Sequence, residues 1–194
     1  MRKSMLTIPI ALLAILSPVV VRAADITYTV NSSAGASGSV TGSITTDGST
    51  GVLGTADILN WNLVLNDGTN PTFTLNGTSN SAEEVVGLDL SATATQLLFD
   101  YSGSDGGFFL LESLTIGDDG PFVCFSASVA CSTTPAGISL AALNGEGDAV
   151  FTELSDTGVI GTAGVSPTPE PGSLFLLGSG LLAMAGMGWR RVAA

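Results

Sequence analysis

The sequence predicts an all-β protein: an antiparallel β-sandwich or jelly-roll-like domain, flanked by an N-terminal signal peptide and a single C-terminal transmembrane helix. Three observations predict it. Apolar and polar residues alternate with a period of two through much of the interior, the mark of strands with one buried face. Turn signals built from Gly, Asp, Asn and Ser recur roughly every ten residues, a spacing that suits a sandwich. Both ends of the 194-residue chain are apolar stretches that carry all of its basic residues, and no long 3.6-residue period lies between residues 25 and 165.

The N-terminus reads as a signal peptide over residues 1–23. Arg2 and Lys3 give it a positive start, and Leu6 to Val21 an apolar stretch broken by Pro9 and Pro18. Val21-Arg22-Ala23 then places small residues for cleavage between Ala23 and Ala24. An uncleaved membrane helix fits less well, because the stretch is short and interrupted.

The passenger domain is expected over 24–154. Strands are predicted at 26–31, 39–46, 56–66 and 71–77, separated by a loop over Ser32–Gly38 and the turns Asp47-Gly48 and Asn66-Asp67-Gly68. Leu59, Trp61, Leu63 and Leu65 are expected on one face, with Asn60, Asn62 and Val64 on the other. VVGLDLSA (85–92) reads as one strand. TQLLFDYS (95–102) and FFLLESLTI (108–116) read as a hairpin joined by a Gly-rich loop, with Leu97, Phe99 and Tyr101 inward. Weaker strands are predicted at 137–143 and 149–154. Residues 155–168 lose the alternation and gain Gly and Pro, so a linker is expected there.

Cys124 and Cys131 are the two cysteines of the chain. In an exported protein so close a pair is expected to form a disulfide, with SAS turning the chain between flanks that pair. Two cysteines without histidine make an incomplete zinc set.

The charge balance excludes several function classes. There are 17 acidic residues, 5 basic residues and no histidine. The basic residues are Arg2, Lys3, Arg22, Arg190 and Arg191, and among the acids only Glu170 lies in the C-terminal tail. The interior therefore has no group to neutralise a phosphate, so nucleic acid is not an expected partner. Without His or Lys it has no conventional Ser-His-Asp, Cys-His or lysine nucleophile. Adjacent acids such as Glu83-Glu84 point to opposite faces of a strand and do not converge as a glycosidase pair would. No catalytic residues and no obligatory cofactor are expected. The Asp-Gly turns are suited to a hard cation, and if Ca²⁺ binds, Asp118 and Asp119 are the expected ligands. Trp61 and Tyr101 are the aromatic residues that could stack a sugar, although the alternation around Trp61 favours the core.

The tail, 169–194, combines three parts. Pro169, Glu170 and Pro171 hold an extended segment. Ser173 to Trp189 is uncharged, and as a helix rising ~1.5 Å per residue it spans about 25 Å, just under a ~30 Å hydrocarbon core. Trp189 sits where an interfacial aromatic belongs, and Arg190 and Arg191 favour a cytoplasmic end, leaving the passenger outside. A plain anchor with a Pro-rich stem accounts for these features equally well. In this order, however, they resemble the PEP-CTERM sorting signal of Gram-negative and related bacteria. The resemblance covers Pro169-Glu170-Pro171, the apolar span and Arg190-Arg191. It departs mildly in having only two arginines, followed by Val192-Ala193-Ala194.

The resemblance implies processing by an exosortase, a polytopic membrane enzyme with a cysteine-protease-like site. It also implies delivery to the cell surface or to an exopolysaccharide-associated, biofilm-type matrix. Phrases such as LGTADILNWNLVLNDG and DLSATATQLLFDYSG are similar to the small β-rich domains common in such proteins, and they imply no particular activity. The expected function is thus that of a non-catalytic surface or matrix protein. The alternative is a carbohydrate- or Ca²⁺-binding module on the same membrane anchor.

Overall fold

The computed structural model describes residues 24–164, apart from 78, 105, 115–119, 129–130, 132–135 and 144–148. Thirteen strands run through the described residues: β1 (Ile26–Ala34), β2 (Gly38–Thr46), β3 (Gly51–Val52), β4 (Ile58–Asn66), β5 (Phe73–Asn76), β6 (Ser81–Val86), β7 (Leu90–Ala92), β8 (Gln96–Asp100), β9 (Phe108–Ser113), β10 (Phe122–Ser126), β11 (Gly137–Ala141), β12 (Val150–Glu153) and β13 (Thr157–Thr162). A single 3₁₀ turn, Thr55–Asp57, precedes β4.

They form two antiparallel sheets. The larger has the order β3-β7-β8-β13-β1-β2-β4-β5, and the smaller β12-β11-β10-β9-β6. In the larger sheet β13 returns beside β1, a Greek-key-like closure of the β1-β2-β4 meander. In the smaller sheet β9 to β12 form a plain meander. The all-β antiparallel class matches the sequence prediction.

The core lies between the sheets. Tyr28, Val30, Ile44, Leu63, Leu65, Leu97 and Phe99 from one sheet meet Phe109, Leu111, Val123, Phe125 and Leu140 from the other. Phe125 bridges the layers, with ring centroids 6.4 Å from Phe99 and 5.9 Å from Phe109. A satellite cluster of Phe122, Cys124 and Ala141 lies on the opposite face of β10 and β11, with Phe108, Leu110 and Cys131 packed against it. Every residue of β10 and β11 is consequently buried, as expected for strands covered on both faces.

Several expectations are corrected. Leu59 is exposed, because a bulge shifts the register between Thr45↔Asn60 and Thr46↔Ile58 and turns Ile58 inward in its place. The stretch 85–92 is not one strand: β6 belongs to the smaller sheet and β7 to the larger, with Leu88 exposed at the break. The predicted hairpin between 95–102 and 108–116 is likewise absent, since β8 and β9 lie in different sheets and the chain crosses the sandwich between them. The loop predicted at 32–38 is mostly strand, with β1 and β2 paired from Ile26↔Thr46 to Ala34↔Gly38. β10, which carries Cys124, pairs with β9 and β11 on its two edges, and the residues flanking Cys131 lie outside the described residues.

The largest correction concerns 155–168. Its first half contains β13, which sits between β8 and β1 and places Ile160 in the core. Gly158, Gly161 and a bulge between Val159 and Gly161 obscure the alternation there.

Candidate functional site

Two surfaces of the described residues have chemistry beyond packing. The first is the solvent face of β1, β2, β4 and β5. The strand period turns Thr27, Thr29, Asn31 and Ser33 outward from β1, because Tyr28, Val30 and Ala34 are buried. Ser39 to Thr45 on β2, Asn60 to Asn66 on β4 and Thr74 and Asn76 on β5 continue the pattern, and Val64 is the apolar exception. Cross-strand contacts join neighbours directly: the hydroxyls of Thr27 and Thr45 are 2.8 Å apart. No Asp or Glu occurs in β1, β2, β4, β5 or β13.

The second is an open cleft of about 490 Å³ between Tyr101 and residues 153–158. It is lined by Glu153, Ser155, Asp156 and Thr157, so its polar groups are carboxylates and hydroxyls. The Tyr101 ring closes its floor with the hydroxyl buried and, among the described residues, unpartnered. Burial pushes that hydroxyl well above its usual range.

The residues singled out in the sequence fall as follows. Trp61 is 3 % exposed and donates its indole N–H to Ser81 Oγ at 2.8 Å. Tyr101 packs on Phe99 with centroids 5.0 Å apart. Neither ring is available as a sugar platform. Cys124 and Cys131 form a disulfide, with Cα atoms 6.2 Å apart. Asp118 and Asp119 lie outside the described residues, as do Pro169, Glu170, Pro171, Arg190, Arg191 and the predicted helix at 173–189. Ala23 also lies outside them, and Ala24 is the first described residue and exposed.

Asp67, in one of the Asp-Gly turns suited to a cation, is occupied otherwise. It is 1 % exposed. Its Oδ1 accepts the backbone N–H groups of Thr69 at 2.9 Å and Asn70 at 2.7 Å. Its Oδ2 accepts the Asn70 side-chain amide at 2.9 Å and the Ala142 N–H at 3.2 Å. Burial pushes this carboxyl up, but the hydrogen bonds from Asn70, Thr69 and Ala142 outweigh it and hold the pKa at about 2. Since Ala142 follows β11, the carboxylate fastens the β4–β5 turn of one sheet to the other sheet. Among the described residues no group of three or more Asp, Glu, Cys or His gathers to hold a metal.

Sequence reasoning missed two polar side chains that close sheet edges. Asn80 accepts the Asn76 N–H at 2.7 Å and donates to the Thr74 carbonyl at 2.9 Å, occupying the free edge of β5. Thr55 Oγ1 accepts the Val85 N–H at 3.0 Å and occupies the edge of β6. Nothing in their local sequence marks these roles, which depend on contacts made by folding.

Comparison with known proteins adds one finding. Residues 167–192 match the PEP-CTERM protein-sorting motif. The match spans the Pro-Glu-Pro triplet and both terminal arginines. No curated protein and no solved structure matches the chain. Among the described residues no helix is long and apolar enough to cross a membrane.

Proposed function

We propose that this chain, whose residues 167–192 match the PEP-CTERM protein-sorting motif, is an exported protein sorted by an exosortase and a non-catalytic component of the cell surface or extracellular matrix. In this reading the signal peptide directs export and is removed between Ala23 and Ala24. The segment 173–189 then enters the bilayer as a helix with Arg190 and Arg191 retained inside. Pro169-Glu170-Pro171 is held extended just outside the membrane, where an embedded enzyme can grip it. The sandwich faces the exterior, in contact with the exopolysaccharide of a biofilm-type matrix.

The sorting-motif match carries the reading. Two further observations support it. The domain has no Lys, Arg or His, a composition suited to an acidic surface that stays apart from anionic lipid. Its disulfide joins Cys124 and Cys131, and such bonds persist in oxidising, exported settings. The burial of Trp61 and Tyr101 and the Ser/Thr/Asn-covered outer face favour the structural role over an aromatic-platform lectin.

Mass spectrometry of the mature protein from envelope and medium tests it. The expected species begins at Ala24, contains the disulfide and is shortened beyond the Pro-Glu-Pro triplet; Glu170→Ala leaves the tail intact. A full-length chain recovered from the cytosol would overturn the reading.

A further inference from the structure

Strand register on the larger sheet produces a feature that no short stretch of sequence contains. Gln96 pairs with Thr162, Thr162 with Thr29, Thr29 with Ser43, Ser43 with Asn62, and Asn62 with Asn76. These six residues lie on β8, β13, β1, β2, β4 and β5, and each is exposed or half-buried. They form one unbroken transverse row of hydroxyl and amide side chains across six adjacent strands. Thr27↔Thr45↔Asn60 runs parallel to it on one side and Asn31↔Thr41↔Val64↔Thr74 on the other.

We propose that this row is the docking line for a single extended chain of a neutral polyhydroxylated polymer, a glycan, laid across the strands. The proposal rests on the reading that the sandwich works outside the cell, and it names the partner of that domain's outer face. Three features of the face specify the ligand.

The first is pitch. Adjacent strands are ~4.8 Å apart, close to the length of one pyranose ring in an extended chain, so each strand meets one sugar. The second is chemistry. Ser, Thr, Asn and Gln each donate and accept hydrogen bonds, as sugar hydroxyls do, whereas a carboxylate accepts only. The third is charge. Five of the six strands of the row, β1, β2, β4, β5 and β13, contain no acid, and the sixth, β8, carries Asp100 at its far end from Gln96. A neutral polymer can lie along this line without meeting a carboxylate, while a polyanion is repelled by the acids around it and finds no cation to bind.

Sheet twist refines the ligand further. Neighbouring strands rotate by roughly 20°, so the row fans across the sheet. A flexible single chain can follow that fan; the flat face of a crystalline polysaccharide cannot. With Trp61 and Tyr101 buried, no stacking platform adds to the hydrogen bonds. Each domain therefore binds weakly, and tight attachment arises from many copies on one surface engaging one polymer.

Native gel electrophoresis of the full chain in a polyoxyethylene detergent tests the proposal, with soluble glucomannan cast into the gel as the neutral probe and polygalacturonate as the anionic one. Glucomannan is expected to slow the wild type in proportion to its concentration, and polygalacturonate is not. Combined Thr29→Ala, Ser43→Ala and Asn62→Ala is expected to weaken binding about tenfold, equivalent to roughly three weak hydrogen bonds. Ser49→Ala, Ser104→Ala and Ser155→Ala together are expected to leave it unchanged. Near-ultraviolet circular dichroism verifies that both variants keep the fold.

An unretarded wild type would sink the proposal, as would a row variant that binds like the wild type or equal retardation by polygalacturonate. Concentration-dependent self-association lost in the row variant would instead make the face a contact between copies, and would also overturn it. Each of these outcomes is separate from where the chain goes in the cell. Loss of glycan binding therefore leaves the sorting reading intact, and a cytosolic chain leaves the gel result intact.

Discussion

Removing the carboxylate at position 67 should loosen the sandwich by an amount that depends on pH. Asp67 accepts four hydrogen bonds, and its pKa is held at about 2 against an ordinary 3.8. At roughly 1.4 kcal/mol per unit, that difference corresponds to about 2 kcal/mol of stability at pH 7. The sign follows from proton binding. Between the two pKa values the unfolded chain holds more protons than the folded one, so stability falls as pH falls. The contribution is complete above the unfolded pKa, is roughly halved at pH 3 and is mostly lost at pH 2. Asp67→Asn presents an amide to donors that need an acceptor, so a loss of about 2–3 kcal/mol is expected at pH 7. Urea denaturation at pH 7, 3 and 2, all away from the isoelectric point near 4.1, measures the gap between wild type and variant. That gap should close as pH falls. A variant within about 0.5 kcal/mol of wild type at pH 7, less than one ordinary hydrogen bond, would refute the reasoning, and so would a gap that persists unchanged at pH 2.

Three further outcomes are expected. Gly42 has φ 139 and lies between β1 and β4, where a Cβ would overlap the Asn62 carbonyl; Gly42→Val should cost at least about 3 kcal/mol, and a near-neutral thermal melt would refute that backbone geometry. Asn80→Ala frees the N–H and C=O groups at the edge of β5, costing roughly 1–2 kcal/mol and promoting association at high concentration, which sedimentation velocity detects. Paired Cys124→Ala and Cys131→Ala, opening a link of sequence separation 7, should lower stability by about 2 kcal/mol while preserving circular dichroism; an unchanged urea midpoint would show that the bond is dispensable.

Legibility of the fold from sequence tracked how far each interaction reaches. Where one strand face meets the core, the alternation was clear: Leu97, Phe99 and Tyr101 are all buried as read. Trp61, Leu63 and Leu65 follow the same rule, and only the bulge at Ile58 displaced Leu59. β13 was hidden for a different reason. It is covered by neighbours on both edges and contains two glycines, so it needs little apolar signal of its own. The sheet changes at 87–89 and 101–107 were illegible because turn residues mark that a chain bends, not which sheet it enters. Asn66-Asp67-Gly68 is a turn as expected, but the reach of Asp67 to the other sheet was illegible, because Ala142, the donor that completes its set, is distant in sequence. The transverse row depends on six registers at once. Its only local trace is the alternation of Thr27, Thr29, Asn31 and Ser33.

Lack of basic residues also changes the means by which this sandwich can protect its sheet edges. Exposed strand edges are commonly blunted with lysine, whose charge and hydration discourage a second strand. Here that device is missing, because every Lys and Arg lies in the terminal segments. Hydroxyl and amide side chains take its place by occupying the edge hydrogen-bonding groups directly. Asn80 closes β5 and Thr55 closes β6, while on the edge strand β12 the Thr152 hydroxyl instead accepts the Gly35 N–H at 2.7 Å. The remaining edge strand, β3, is two residues long, too short to template a partner. Glu83 and Glu84 on β6 add like-charge repulsion between copies. On the reading that the domain works at a cell surface, one built without cations guards against strand pairing by satisfying its edges rather than by charging them positively. The same neutral side chains that close the edges also cover the outer face. That is why the face can meet a polymer of hydroxyls while the edges refuse a polymer of strands.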